Sequence, residues 1–407
     1  MHKPLLRADI QPVTTMIEGR RKITFHDPYQ LTDERIAIDM QLLPVLQILD
    51  GRHDLRDIQM ILMKEQGGRI VYISEVESLI ERLDHACLLN SEFFHHKMNI
   101  LRADFMNQKN RFPAYAGKSY MSEPEQLIQF IQNVENNLKP LNSENTEDSI
   151  TGILAPHIDI KIAGETYVNT YRRLKGKHYD LVIVLGINHQ SQNGLFSVSD
   201  KVYVTPFGDI ETDRAFISDL KRNVPEGALS PDDFGHKIEH SIEFQTIFLR
   251  YYLTAPFVIV PILCGSVHEF IFKKENLFSD ARFQGMVQTL NMLIQERKGR
   301  ILIVAGVDLS HVGLKFGDSL PAESILTQAR SNDRTILAFL TSDEPEKILQ
   351  HSIETRDQYH VCGLPAILLF ASLLRKNRAD IIHFETYDER ETQSAVNYAS
   401  VIFTESL

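Results

Sequence analysis

From residue 150 onward, short runs of β-branched and aliphatic residues alternate with stretches of helical spacing. Residues 150–154, 180–185, 257–263 and 301–305 are apolar runs bounded by Gly or Pro, and helical patterns fall at 165–174, 213–220, 241–252, 283–296 and 324–340. Strands that are apolar on both faces and alternate with helices predict an α/β fold, a central mixed sheet flanked by helices. Residues 380–384 and 394–403 supply late strands.

The first hundred residues carry a different pattern. Residues 13–17 and 21–25 predict a strand pair around Glu18-Gly19, and 40–49 carries helical spacing that stops at Asp50-Gly51. Asp54 is placed to cap a helix running to Met63, and Ser74-Glu-Val-Glu77 reads as a capping box before Val76, Leu79, Ile80 and Leu83 on one face. Three helices and a closing Leu88-Leu89 predict a small winged-helix-like domain over 1–100. Polar residues 95–123, including His95-His96, read as a connection in which neither histidine has a metal role. The domain plan is then 1–100, a linker and lead-in over 101–122, and a large domain over 111–407. Ser122-Glu-Pro-Glu125 starts a helix with Leu127, Ile128, Ile131, Val134 and Leu138 on one face, and 139–149 is a polar loop.

Composition narrows the class. The chain has 407 residues, 43% hydrophobic and 24% charged, which suits a globular protein of two or three domains. No run reaches the ~18–20 apolar residues of a membrane span, and Met1-His-Lys-Pro has no apolar signal region, so a cytoplasmic protein is expected. Three cysteines, Cys87, Cys264 and Cys362, form no framework and no CxxC cluster. That argues against disulfides and against the chain itself being an iron–sulfur or radical-SAM enzyme. A net charge of −11, and −3 over residues 1–100, argues against nucleic acid and leaves a peptide or protein as the expected ligand of the small domain.

Ligands of open α/β sheets bind beyond the carboxyl ends of the strands. Three histidines sit there, in Ala155-Pro-His157, Leu185-Gly-Ile-Asn-His189 and Asp308-Leu-Ser-His311. One such histidine is usually a satisfied loop residue; three would be gathered by the sheet at one rim. His240 is a fourth candidate, and at helical spacing Glu243 is expected to orient it. In Val361-Cys362-Gly363-Leu364-Pro365 the thiol opens an apolar helix, whose N-terminus is expected to lower the thiol pKa and favour the metal-binding thiolate. Cys87 and Cys264 lie in apolar contexts and read as core residues. Two imidazoles and one thiolate suit iron, zinc or copper with positions left open, and His240 and His311 could then act as acid/base groups with an ordinary pKa near ~6.5.

These motifs, with Arg111-Phe-Pro-Ala-Tyr-Ala-Gly-Lys-Ser-Tyr120, Thr205-Pro-Phe-Gly208, Glu239-His-Ser-Ile-Glu243, Cys362-Gly363 and Ser394-Ala-Val-Asn-Tyr398, resemble the Memo family in order over roughly 111–407. Bacterial members are called AmmeMemoRadiSam system protein B. The resemblance implies a fold like class III extradiol dioxygenases, with His157, His189 and Cys362 as ligands of one metal ion. Iron is the first choice, with copper or zinc as alternatives. It assigns His240 and His311 catalytic or supporting roles. It also implies oxidase-like redox chemistry on an unsettled substrate, in company with a radical-SAM protein and a small third protein. Cys362 stands where the dioxygenases place a glutamate, which weakens the case for ring cleavage. Asp159-Ile160 replaces the usual Gly-Tyr, with Asp159 read as a cap rather than a ligand, and Gln190 replaces a second histidine.

Two other readings compete. His236-Lys-Ile-Glu239-His240 matches the HxxEH pattern of zinc peptidases, although Gly235 puts the helix start near His240 and leaves His236 off the shared face. The second is a non-catalytic metal-binding protein that docks a radical-SAM partner.

Overall fold

The computed structural model describes residues 3–32, 36–141, 149–189 and 194–405, so Gln190 and most of the polar loop 139–149 lie outside the described residues. The chain divides into two compact units, Met1–Asn107 and Gln108–Leu407.

In the first unit β1 (Gln11–Ile17) and β2 (Arg20–His26) pair antiparallel, and β3 (Ile38–Asp39) pairs with β2. The turn takes positive φ at Glu18 (51°) and Gly19 (73°), the geometry that matches strand twist in a two-residue hairpin. Helices α1 (Leu43–Gln47), α2 (Leu55–Glu65), α3 (Ile73–His85) and α4 (Glu92–Asn107) follow. Asp54 caps α2 as expected, accepting from the Arg56 and Asp57 amides. The α3 cap falls two residues before the expected box: Glu75 Oε2 accepts the Tyr72 amide at 2.8 Å. Val76, Leu79, Ile80 and Leu83 are buried on its inner face. Helix α4 fills much of the stretch that its polarity marks as a connection. Its only buried residues are Phe94 and Phe105, so no apolar stripe betrays it. His95 and His96 lie exposed on it.

The second unit is built on an eight-stranded sheet. Its chain order begins with β4 (Asn110–Arg111), α5 (Pro124–Asn137), β5 (Ile150–Ala155), α6 (Ile160–Tyr171), β6 (Leu181–Ile187), β7 (Phe196–Val198), β8 (Val202–Tyr203) and α7 (Arg214–Asn223). Then come α8 (His240–Tyr252), β9 (Val258–Cys264), α9 (His268–Lys273), α10 (Ala281–Glu296), β10 (Ile301–Gly306) and β11 (His311–Gly313). Helices α11 (Ala322–Thr341), α12 (Pro345–Thr355) and α13 (Leu364–Leu373) precede the long antiparallel pair β12 (Arg378–Glu389) and β13 (Ser394–Thr404). The sheet order is β11-β13-β5-β10-β6-β9-β7, with β12 added beside β13. Its centre, β5, β10, β6 and β9, is parallel, and the outer strands are antiparallel, so the sheet is mixed as expected.

The apolar runs are explained by burial on both faces. Along β6, Val182 and Val184 pack with Tyr167 of α6 and Phe248 of α8, while Leu181, Ile183 and Leu185 pack with Leu290 of α10 and Ile367 of α13. Each such aliphatic side chain contributes ~1.5–3 kcal/mol by leaving water. Cys87 and Cys264 are fully buried. None of the described helices is long and apolar enough to cross a membrane.

Candidate metal centre

The parallel register sets the ends of β5, β10 and β6 side by side, pairing Gly306 with Ala155 and Ala305 with Leu185. The chain therefore leaves three adjacent strands at one rim, carrying His157, His189 and the 307–311 loop. Helix α8, packed on one face of the sheet, begins at that rim, and two glycines allow its close approach. A Cβ at Gly306 would stand 2.2 Å from Ser241 O, and one at Gly186 would stand 2.5 Å from Ser241 Oγ. Ser241 Oγ accepts the Ile187 amide at 2.9 Å, and Gln245 Nε2 donates to Pro156 O at 2.9 Å, tying the helix to the exits of β6 and β5.

Each histidine is aimed by its outer nitrogen. His157 Nδ1 donates to Gly306 O at 3.0 Å, and its amide donates to Asp308 Oδ1 at 2.9 Å. His189 Nδ1 lies 3.0 Å from both carboxylate oxygens of Glu239, which also accepts the His189 amide. With Nδ1 committed, each ring has its Nε2 left to face inward, the arrangement that orients metal-binding imidazoles. Cys362, in the turn before α13, brings Sγ to 3.3 Å from His157 Nε2. His157, His189 and Cys362 each offer one ligand atom, and all three lie within 4.8 Å of one another. Metal–ligand bonds of ~2.0–2.3 Å put neighbouring donor atoms ~3–4 Å apart, so the three fit one ion. His189, Glu239 and His240 form a second such group at the same place.

The rings pack closely: His189 stacks on His240 at 5.0 Å and 15°, and His157 meets both edge-on at 5.2 and 5.1 Å. His311 lines the same cavity, about 600 Å³, together with Tyr115, Phe244, Lys315 and Tyr387. Its Nδ1 donates to Leu309 O at 3.0 Å and its ring meets Phe316. The five expected site residues thus lie in one cavity. Asp159 caps α6, accepting the Lys161 amide at 2.8 Å.

The electrostatics correct two expectations. Burial, then the Asp308 carboxylate, pushes the Cys362 thiol well above its ordinary pKa, and the helix start does not compensate. The first helical residue is Leu364, so Cys362 lies outside the first turn, where the helix dipole is felt. A Cys362 thiolate would therefore need a bound cation to form. Burial lowers His240 to about 3 and His311 to about 4, so both are uncharged at pH 7 rather than poised near the ordinary value. His157 falls to about 4 through burial and its neighbour His189. Burial opposes charge on His189 too, but Glu239 outweighs it and raises the value. Buried Asp308 rises to about 6.

Glu243 does not orient His240. It accepts from Arg111 Nη1 at 2.5 Å, from the Ala114 and Tyr115 amides, and from Tyr120 Oη at 2.7 Å. Arg111 also donates to the carbonyls of His236 and Glu239, so the opening motif Arg111–Tyr120 clasps the segment that delivers Glu239 and His240. The carboxylate beside His189 and His240 is Glu239, which also caps α8 through the Ser241 amide, while Asp308 Oδ2 lies 3.6 Å from His157 Nε2. The closing motif has its own part: Asn397 exchanges backbone hydrogen bonds with Leu309 and Ser310, while Asp333 accepts from Ser310 Oγ and Asn397 Nδ2 at 2.6 Å each.

His236 lies in a 3-10 turn (Phe234–Lys237), off the helix that His240 begins. Its Nδ1 accepts from Tyr203 Oη and its Nε2 donates to Ser197 O, which leaves neither nitrogen for zinc and removes the peptidase reading. Burial lowers His236 to about 3. An unfolded histidine takes up a proton near its ordinary value, whereas this one does not, so its contribution to stability is lost as pH falls below ~6.5, by up to about 1.4 kcal/mol per unit. Denaturant titrations between about pH 6 and 4.5 should show His236→Gln flattening the pH slope by close to one proton. An unchanged slope would reject that assignment.

The sequence profile of the family described as Memo-like protein matches residues 111–402. A MEMO1 family protein of Aquifex aeolicus is 30% identical over 98% of this chain and 100% of its own length. The chain belongs to the Memo family. MEMO1 family proteins of Methanopyrus kandleri and Pyrococcus horikoshii are 25% and 26% identical over 72% of this chain and 98% of theirs. The match to these archaeal relatives thus leaves more than a quarter of this chain unaccounted for, whereas the Aquifex protein is matched end to end.

Proposed function

We propose that this Memo protein holds one metal ion on His157, His189 and Cys362, iron before copper, and uses its redox activity for oxygen chemistry on a small substrate; zinc, the remaining alternative, would fill the site without redox chemistry. The observation that carries the reading is the pairing of each imidazole with an outward acceptor, which turns two Nε2 atoms and one Sγ toward a common point beside an open cavity. A bound metal would supply electron transfer and Lewis acidity there. The chain's own contribution is placement. Neutral His240 and His311 accept protons at the cavity wall, Glu239 holds His189, and Tyr115, Phe244 and Phe316 keep one wall apolar. The thiolate in place of a carboxylate favours one-electron redox over extradiol ring cleavage in an extradiol dioxygenase-like fold.

A radical-SAM protein and a small third protein are the proposed partners. The first unit, read as winged-helix-like, is the proposed docking module, supported by the exposed Met60, Ile70 and Tyr72 on its surface. A pull-down that keeps its partner after deletion of residues 1–100 would remove that part.

His157→Ala, His189→Ala and Cys362→Ala should each lower bound metal from about one ion per chain to below about a tenth. Unchanged stoichiometry in all three sinks the site. Anaerobic protein loaded with Fe(II) should change its electron-paramagnetic spectrum on exposure to oxygen. Protein from cells that carries zinc alone, with no such change, would favour a non-catalytic metal-binding role.

A further inference from the structure

A second cavity of the second unit, about 680 Å³ in volume, lies at the opposite end of β5. Strand β5 connects the two places. Ile150 lines this cavity, while His157 lies two residues beyond the strand's far end. Six extended residues separate the cavities by ~20 Å, and they share no lining residue.

The cavity gathers Arg172, Arg173, Lys175, Lys177 and Arg378 against two lining acids, Glu135 and Asp380. Arg378 is paired with Asp380 at 3.2 Å, and basic residues outnumber acidic ones among the described lining residues. Arg172 is 9% exposed, yet its hydrogen-bond partners among the described residues are neutral: Nη2 donates to Lys139 O at 2.7 Å and to Asn169 Oδ1 at 2.8 Å. The Nε of Arg172 and the Nε of Arg173 are both buried with no acceptor among the described residues. Buried N–H donors are nearly always satisfied, so two adjacent unpaired guanidinium donors mark a place for an acceptor group. Burial, then the charge of Arg172, lowers the Arg173 pKa, the mark of like charges held together.

We propose that this cavity binds a phosphorylated small molecule, with its phosphate on Arg172 and Arg173 and its apolar body on Ile150, Ile382 and Ile402. Guanidinium forks match phosphate oxygens in geometry and charge, and the volume suits a ligand of metabolite size. The apolar floor distinguishes the site from a bare surface patch.

Calorimetric titration of the full chain with pyrophosphate, inorganic phosphate, AMP, adenosine and citrate tests this. Pyrophosphate and AMP should bind and adenosine should not. Lys175→Gln with Arg378→Gln, both at solvent-accessible positions, should weaken binding by about tenfold. Arg173→Gln should weaken it further, and bound metal at the histidine site should stay unchanged in all variants. Equal affinity for adenosine and AMP, or binding of citrate without any phosphate, overturns the assignment. Because Glu144, Glu147 and Asp148 follow Leu141 in sequence, the titration is repeated in E144Q/E147Q/D148N. Phosphate binding in either chain supports the site, and binding in neither overturns it.

Discussion

Arg111→Met is expected to unfold this protein roughly 10 °C earlier than the parent chain. Glu243 is 2% exposed and Arg111 is its only cationic partner among the described residues, so the substitution leaves a buried carboxylate with three neutral donors and no countercharge. Breaking a buried pair from one side costs about 3–5 kcal/mol, against the 0–1 kcal/mol of an exposed pair. In a domain of this size that corresponds to a shift of about 2–4 °C per kcal/mol. The carbonyls of His236 and Glu239 lose their donor at the same time, so metal retention should fall along with stability. Calorimetry on metal-free protein separates the two effects. A shift below about 2 °C would mean that water reaches Glu243 and that the pair is not structural.

Glu239→Gln should weaken metal binding about 10–100-fold while leaving the metal-free protein nearly as stable. The amide keeps the size of the side chain and one acceptor for the Ser241 amide, but it loses the charge that holds His189 and keeps its Nδ1 proton in place. Competition against a chelator of known affinity measures the change. Equal affinity in both chains would reduce Glu239 to a helix cap. The contrast with Arg111 is informative: one buried charge supports the fold and the other supports the ligand.

The sheet was legible because every central strand is buried on both faces and so reads as an uninterrupted apolar run. The histidines were legible because strand ends converge in such a sheet. Charges were harder to place. Glu239, Glu243 and Asp333 are all nearly inaccessible, yet in sequence each looks like any helix-surface acid. Helical spacing paired His240 with Glu243, and the fold gave Glu243 to Arg111, which is distant in sequence. Helix α4 escaped for a related reason: two buried phenylalanines make no periodic stripe. The thiol was misjudged because proximity to a helix start was weighed without the burial that outweighs it. A signal was available for part of this. Gly186 and Gly306, each at or next to a strand end, marked where another backbone comes close.

Those two glycines set how the protein can change over generations. The ligand positions themselves tolerate some exchange, since imidazole, thiolate and carboxylate all bind metals. At Gly306, by contrast, one added methyl group meets the Ser241 carbonyl and the Gln245 amide, so the helix carrying Glu239 and His240 must back away. A single base change from glycine to alanine, at a residue with no side chain of its own to lose, is therefore enough to displace the helix that carries two of the site's side chains. Selection on this centre acts as much on missing atoms as on those present.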